Sequence, residues 1–424
     1  TESKEFDYPS GDENIYTNYQ GTGGVSIHGF LRKLLFALRF KELKILLSGD
    51  MTPASKILYH RNIQERLSKA APFLRYDQDA YLVLSQKGRL FWIVDAYTAT
   101  DNYPYSERIR GVGNYIRNSV KAVVDAYNGD ISFYVTEDSD PIIQTYARIF
   151  PNTFKPISEM SQDLRSHIRY PEDMFSIQAR IYATYHMTDP QVFYNKEDLW
   201  KIPEKSFGNQ IQRMPPYYTI MKLASVGKQE EFLLMVPFTP ARKENMISWM
   251  AARCDAPNYG KLLVYNFPKQ KLVYGPQQIE SRIDQDAEIS KQLTLWNQGG
   301  SKVIRGSLLV IPVESSLLYV QPLYLEATGG GLPELKRVIV VYGNAIAMED
   351  NLEKSLNRIF DGKMERVMAG ADQESRPQGM QNLIRQAQER FDRAQSYLRR
   401  GDWGGYGQEM KEVESLLRRM SALK

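Results

Sequence analysis

The chain is short of the residues on which most enzyme chemistry is built. Cys254 is its only cysteine among 424 residues, which excludes an intramolecular disulfide and a thiolate metal cage. Four histidines, His28, His60, His167 and His186, are few for metal or acid–base catalysis. His167 and His186 flank a predicted helix of about 15 residues, roughly 22 Å long, so they are not expected to share a metal. No apolar run reaches the roughly 18 residues that a spanning helix needs. Phe30–Leu47, the best candidate, is interrupted by Arg32, Lys33, Arg39, Lys41, Glu42 and Lys44. An excess of one charge is missing too: 54 basic and 50 acidic residues leave +4, without the concentrated basic face that nucleic acid requires. There is no P-loop, G-x-S-x-G or H-E-x-x-H, and Gly111-Val112-Gly113 lacks the third glycine of a dinucleotide fingerprint. The chain opens at Thr1 without an initiator methionine or a charged-then-apolar signal segment, so a mature or shortened chain is expected.

What is present is size and repetition. A mass of 48.9 kDa is enough for two or three domains, and a mean hydropathy of -0.45 is that of a soluble chain. Tyr81–Tyr97 aligns without a gap on Leu308–Tyr324, and Ser119–Phe150 follows the plan of Leu335–Phe360: strand, turn, strand, acidic cap, helix. This predicts an internal duplication. Each copy reads as two hairpins and a helix, with Asn128-Gly129 and Gly343-Asn344 as two-residue turns. Asp140-Pro141 is the helix start in the first copy, and Asp350 with Glu353 in the second. The expected fold class is α+β: two related ββ-ββ-α units with a mixed α/β insertion between them and a C-terminal helical hairpin.

The expected boundaries are 1–67, an extended arm and amphipathic helices; 68–150, the first repeat; 151–300, the central segment; 301–365, the second repeat; and 366–424, a linker and the hairpin. Phe30–Leu47 reads as an amphipathic helix, either packed on the body with a solvated Lys/Arg face, the favoured reading, or lying on a membrane surface. A further helix is expected after Thr52-Pro53. In the central segment Pro171 opens a helix with Glu172 and Asp173 in its first turn, and Asp189-Pro190 ends it. Strands are expected at Tyr217–Leu223, Glu231–Val236 and Lys261–Asn266, with a helix near Asn245–Arg253. The terminal hairpin pairs a stripe of Ile384, Ala387, Phe391, Ala394 and Leu398 with one of Val413, Leu416, Leu417 and Met420, turning at Gly401–Gly405.

Acidic clusters are the remaining candidates for chemistry. Asp284, Asp286 and Glu288 lack the Gly and the final Glu of a calcium loop and read as a helix start. The Glu137–Asp140 run likewise reads as a cap. Twenty-seven tyrosines suit either half-buried strand positions or recognition of glycans and polar head groups. A cleft between the two repeats, near the Arg169–Trp200 segment, is the expected ligand location, with Arg169, Glu172, Asp173, His186, Asp189 and Trp200 as the interaction region. No catalytic residue, cofactor or metal is assigned.

Arg169–Trp200 (RYPEDMFSIQARIYATYHMTDPQVFYNKEDLW) resembles the signature of an uncharacterised bacterial membrane protein family, uncharacterised protein family (UPF) 0182. Further runs look like that family in the same order, among them Glu5–Gly24, Ile57–Asp77, Phe91–Thr98, Asn114–Gly129, Phe267–Asp286, Leu293–Gly306 and Leu332–Gly343. The resemblance implies several N-terminal membrane helices, absent from this sequence, followed by a large soluble part outside the cytoplasm, which this chain represents. It implies a cell-membrane location and carries over no activity, cofactor or site residue. The expected role is a non-enzymatic binding, sensing or scaffold domain, with a membrane-anchored enzyme or transport component as the alternative. Envelope lipid, glycan or protein are the expected partners, and nucleic acid is not.

Overall fold

The computed structural model describes residues 5–360 except 12, 50, 208–209, 224–228, 269, 271, 299, 314–315, 328 and 330, together with 386, 389–391, 393–394, 396–397 and 403–421. It divides into two compact units, Thr1–Arg282 and Ile283–Lys424. The fold is mixed α and β, and every strand pair is antiparallel except β9 with β10, defined below.

The chain begins with an exposed hairpin, β1 (Glu5–Ser10) and β2 (Glu13–Thr17). β3 (Val25–Ser26) pairs with β4 (Lys56–Ile57), and between them lie α1 (Phe30–Phe40) and α2 (Lys44–Leu47). The helix pattern expected over Phe30–Leu47 is broken at Lys41, which takes a left-handed conformation with φ 56°. Packing of this helix on the body, the favoured expectation, is confined to one side. Ala37 is its only buried residue, and Phe36 and Phe40 lie against Tyr59. Thr52 and Pro53 start no helix; they form a turn in which Ser55 N donates to Thr52 O.

The first sheet follows α3 (Ile63–Ala70), which Asn62 caps by accepting from Glu65 N. Its strands are β5 (Arg75–Tyr76), β6 (Tyr81–Leu84), β7 (Leu90–Thr100), β8 (Tyr115–Asp125) and β9 (Ile131–Val135). Then come α4 (Pro141–Ile149) and β10 (Phe154–Pro156). The order is β10-β9-β8-β7-β5, with β6 sharing the β5 edge of β7. Asp140 caps α4 and Pro141 sits in its first turn, as expected. The Asn128-Gly129 turn is longer than two residues. Asp125 N pairs with Asp130 O and the Asp125 carboxylate accepts from Tyr127 N and Asn128 N, which holds a four-residue loop.

Alternation along β7 and β8 makes two apolar faces. Val94, Ala96, Val120, Ala122 and Val124 pack with Leu67 of α3 and Ile143 of α4. Ile93 and Val123, on the opposite face, pack with Met160 and Leu164. That second face also carries Asp95, Tyr97 and Lys121, since residues two apart share a face of a strand.

The central segment continues with α5 (Gln162–Arg165), α6 (Glu172–Tyr185) and α7 (Pro190–Asn195). Its strands are β11 (Trp200–Lys201), β12 (Glu204–Phe207), β13 (Gln210–Arg213), β14 (Tyr217–Lys222), β15 (Glu230–Pro240), β16 (Ser248–Arg253) and β17 (Leu262–Asn266), followed by α8 (Pro276–Gln285). The helix expected near Asn245–Arg253 is the strand β16, whose six residues are all buried. A central strand covered on both faces loses its alternation, so a short apolar run there has no period to tell it from a helix. α6 packs Met174, Phe175, Ala179 and Ala183 on Leu234, Val236, Phe238, Met250 and Ala252 of this sheet. Asp189-Pro190 does more than end α6: Asp189 caps α7.

The second unit holds α9 (Ala287–Trp296), β18 (Ser301–Arg305), β19 (Leu309–Val313), β20 (Ser316–Ala327), β21 (Glu334–Tyr342), β22 (Ala345–Glu349), α10 (352–360) and α11 (Trp403–Ser421). Asn351, not Asp350, caps α10, accepting from Lys354 N at 2.9 Å, while Asp350 is ion-paired with Arg337 and Lys354. α11 begins inside the stretch expected to turn at Gly401–Gly405. The linker before the hairpin, with Ile384, Ala387 and Leu398 of its first helix, lies outside the described residues; Phe391 and Ala394 are helical, and Arg390 reaches Glu409 of α11 at 3.2 Å.

The three larger sheets share one connectivity. In the second the order is β11-β15-β16-β17 with β14 on the β11 edge, and in the third β18-β20-β21-β22 with β19 on the β18 edge. In each, a long strand takes two short partners in succession on one edge and the next strand on the other, that strand pairs in turn with the one after it, and a helix follows. The backbone repeats a detail between the first and third. Asp77 N donates to Asp95 O, and Gly306 N donates to Pro322 O, each just past the edge strand β5 or β18. A bulge falls between Ala96 and Thr98 in the first ladder and between Leu323 and Tyr324 in the third.

Candidate functional site

Charged residues on buried strand faces mark the place to look. Asp95 and Lys121 are directly opposed across β7 and β8, at 2% and 1% exposure. Their side chains form an ion pair. Asn118 Nδ2 donates to Asp95 Oδ1 at 2.9 Å, and Lys121 Nζ donates to Tyr259 OH at 2.9 Å. Burial pushes the Asp95 carboxyl up, against the pull of Lys121 and Asn118. Taking both ions out of water is costly, and the pair persists because its remaining hydrogen bonds are met.

The β5–β6 connection supplies a second layer. The Asp77 carboxylate accepts from Tyr97 OH, from Asp173 N at 3.1 Å and from Asp79 N at 2.8 Å. Asp173 returns the contact by accepting from Gln78 N at 3.0 Å. Pro171, the N-cap of α6, has no capping side chain, so Asp77 reaches across 96 residues to satisfy one of the helix's orphan N–H groups. Asp79 is ion-paired with Arg169, and the Arg169 guanidinium lies 4.0 Å from the Tyr81 ring centroid and 4.4 Å from that of Tyr218. Tyr218 OH donates to Tyr170 O at 2.7 Å. Among the described residues Arg169 Nε and Tyr81 OH are buried without a hydrogen-bond partner.

Four acids in this cluster are shifted in one direction. Burial raises Asp79, Asp95 and Asp173 above the usual carboxylate range, with neighbouring acids adding to it. Glu172 is pushed up to about 7 by burial and then by the charge of Asp79, partly offset by Arg169. Its carboxylate has no hydrogen-bond partner among the described residues. A partly exposed acid held near neutrality is suited to exchanging a proton at ordinary pH. Cys254 is buried beside the cluster, and burial pushes its thiol up to about 11, which leaves it unreactive. Among the described residues no three of His, Cys, Asp and Glu gather as a metal site.

The six residues picked out in the sequence fall in three places. Arg169, Glu172 and Asp173 enter the cluster at the N-terminus of α6. His186 and Trp200 stack at its other end, with ring centroids 3.7 Å apart, about 21 Å away at 1.5 Å per residue. Asp189 caps α7 on the surface. Sequence reasoning missed Asp77, Asp79, Asp95, Lys121 and Tyr97. The available signal was one charge of each sign set in the apolar strand runs Leu90–Tyr97 and Val120–Val124. A separate cavity of about 1030 Å³ lies between the N-terminal arm, α3 and the first sheet, lined in part by Tyr19, His60, Arg66, Trp92 and Asn128.

Comparison with known proteins gives one family. The family model described as uncharacterised protein family (UPF0182) matches residues 1–296. A UPF0182 protein of Geotalea uraniireducens (strain Rf4) is 54% identical over 426 residues, covering 99% of this chain and 47% of that protein. One from Desulforamulus reducens is 52% identical over 436 residues, covering 99% and 46%. One from Geobacter sulfurreducens is 53% identical over 424 residues, covering 99% and 47%. The chain therefore spans about half the length of the curated relatives it matches. No solved structure matches it.

Proposed function

The chain belongs to the uncharacterised protein family UPF0182, and we propose that it is the extracytoplasmic part of a membrane-anchored protein that works by binding or scaffolding rather than by catalysis. The observation that carries the non-catalytic half is the saturation of the inner layer of the cluster, Asp77, Asp95 and Lys121. Asp77, Asp95 and Lys121 spend their hydrogen bonds on one another, on Tyr97, Tyr259 and Asn118, and on the α6 N-terminus. A catalytic group must face a substrate; these face inward. The buried layer fixes α6 against the first sheet, and its rim of Arg169, Asp79 and Glu172, beside the Tyr218 ring, is where a polar ligand from the envelope would be met. Asp189, exposed at the start of α7, offers a second contact for a lipid, glycan or protein partner, while the stacked side chains of His186 and Trp200 are buried.

We also read the shared connectivity of the sheets as internal repetition, with the central segment as a third copy interrupted by the β12–β13 hairpin. In that reading the first copy alone was converted to a polar junction.

Glu172 supports the runner-up, an enzyme or transport component acting on envelope lipid or glycan. An acid brought to about 7 beside an arginine is suited to proton transfer. Location is tested by fusing alkaline phosphatase or green fluorescent protein to the C-terminus of a full-length relative in its own cell type. An active phosphatase and a dark fluorescent protein are expected, and the reverse would place this part in the cytoplasm.

A further inference from the structure

Residues 30–47 expose more apolar surface than a helix packed on a protein body leaves in water. Phe30, Leu31, Leu35, Leu38, Leu43 and Leu47 are between 57 and 78% exposed. At about 100° per residue, Phe30, Leu31, Leu34, Leu35 and Leu38 fall within an arc of about 140° on α1. The inward side is a different one, made by Phe36, Ala37 and Phe40 against Tyr59. α1 is therefore held from behind and presents a second, unpartnered apolar face.

The charge around that face has one sign. Arg32, Lys33, Arg39, Lys41 and Lys44 stand against the single acid Glu42. No described residue forms an ion pair with Lys33, Arg39, Lys41 or Lys44, although acidic and basic residues nearly balance over the whole chain. An apolar stripe flanked by unpaired cations matches a surface with hydrocarbon beneath and negative charge above. We propose that the outward face of α1 and α2 lies on an anionic lipid bilayer, with its leucines and Phe30 at the headgroup boundary and its cations among the phosphates. This deepens the membrane reading above and rests on it for its setting. The face itself is a property of this chain.

The test is co-sedimentation of the 424-residue chain with vesicles of equal parts phosphatidylglycerol and phosphatidylcholine, and with phosphatidylcholine alone. Binding to the anionic vesicles is expected, weakened at least tenfold by raised salt and at least tenfold by Leu35→Glu with Leu38→Glu. Both positions are already exposed, so the variant keeps its circular dichroism and melting temperature. No binding to anionic vesicles at low salt, or binding indifferent to the double substitution, overturns the proposal. So does a concentration-dependent dimer that the same substitutions abolish, because the face would then belong to a second copy. Vesicles need no cell, so failure here leaves the phosphatase-fusion result standing, and a cytoplasmic result there leaves vesicle binding standing.

Discussion

Lys121→Met is expected to destabilise the first unit by about 3–5 kcal/mol, because it leaves Asp95 buried without its counter-ion. Asp95 is 2% exposed, and losing Lys121 leaves it only Asn118 as a side-chain partner. Removing both charges is expected to behave differently: Asp95→Leu with Lys121→Met should recover most of that loss. The other sheets give the reason. At the step where the long strand changes edge partner, the second sheet opposes Pro237 to Trp249 and the third opposes Pro322 to Val338. The architecture thus tolerates an uncharged pair at that place, and proline fits there because no ladder partner requires its N–H on that side. Urea unfolding of the wild type, the single and the double variant gives the coupling energy directly. A double variant as unstable as the single one would mean that the charges are required by the fold itself.

Glu172 sets the second expectation, a stability that falls as pH rises. Its folded pKa of about 7 lies above the usual 4.5, so the native state binds a proton more tightly than the unfolded chain does. The contribution is whole below the unfolded value and is lost as pH climbs through about 7. Glu172 is only partly buried, so the loss is set at about 1–2 kcal/mol rather than the full shift. Glu172→Gln keeps a neutral side chain at every pH. It should match the wild type near pH 4 and exceed it by about 1–2 kcal/mol near pH 8. Asp79 and Asp173 shift in the same direction, so the variant retains part of the slope. Asp140 acts in a lower window with the opposite sign. Burial pushes it up, but hydrogen bonds from Thr98, Ser119 and Tyr115 bring it below the usual value, and its contribution is lost as pH falls under about 4. A Glu172→Gln profile parallel to the wild type would show that Glu172 is ordinarily ionised in the fold.

The local features of this fold were readable because they depend on neighbours in sequence. Asp140-Pro141 and the strand–turn–strand plan of the first sheet are of that kind. β16 was not, because burial on both faces erased its period. The likeness of the central sheet to the others was hidden in the sequence, since β12 and β13 separate β11 from β14 and β15 carries a nearly continuous buried run. At the site, Arg169, Glu172 and Asp173 could be named from the acidic first turn of α6. Their partners could not: Asp79 lies 90 residues before Arg169 and Asp77 lies 96 before Asp173, and only the packing of α6 on the first sheet brings them together. The exposed face of α1 was legible as a pattern, but which of its two apolar sides met the body was decided by Tyr59.

The central claim, binding without chemistry, is tested most directly by native mass spectrometry of a full-length relative taken from its own membrane, as wild type and as the variant matching Glu172→Gln. The account predicts a lipid, glycan or protein held at fixed stoichiometry by both, with its mass unchanged on incubation. Conversion of the co-purified species by the wild type but not by the variant would contradict it and make Glu172 a proton-transfer group.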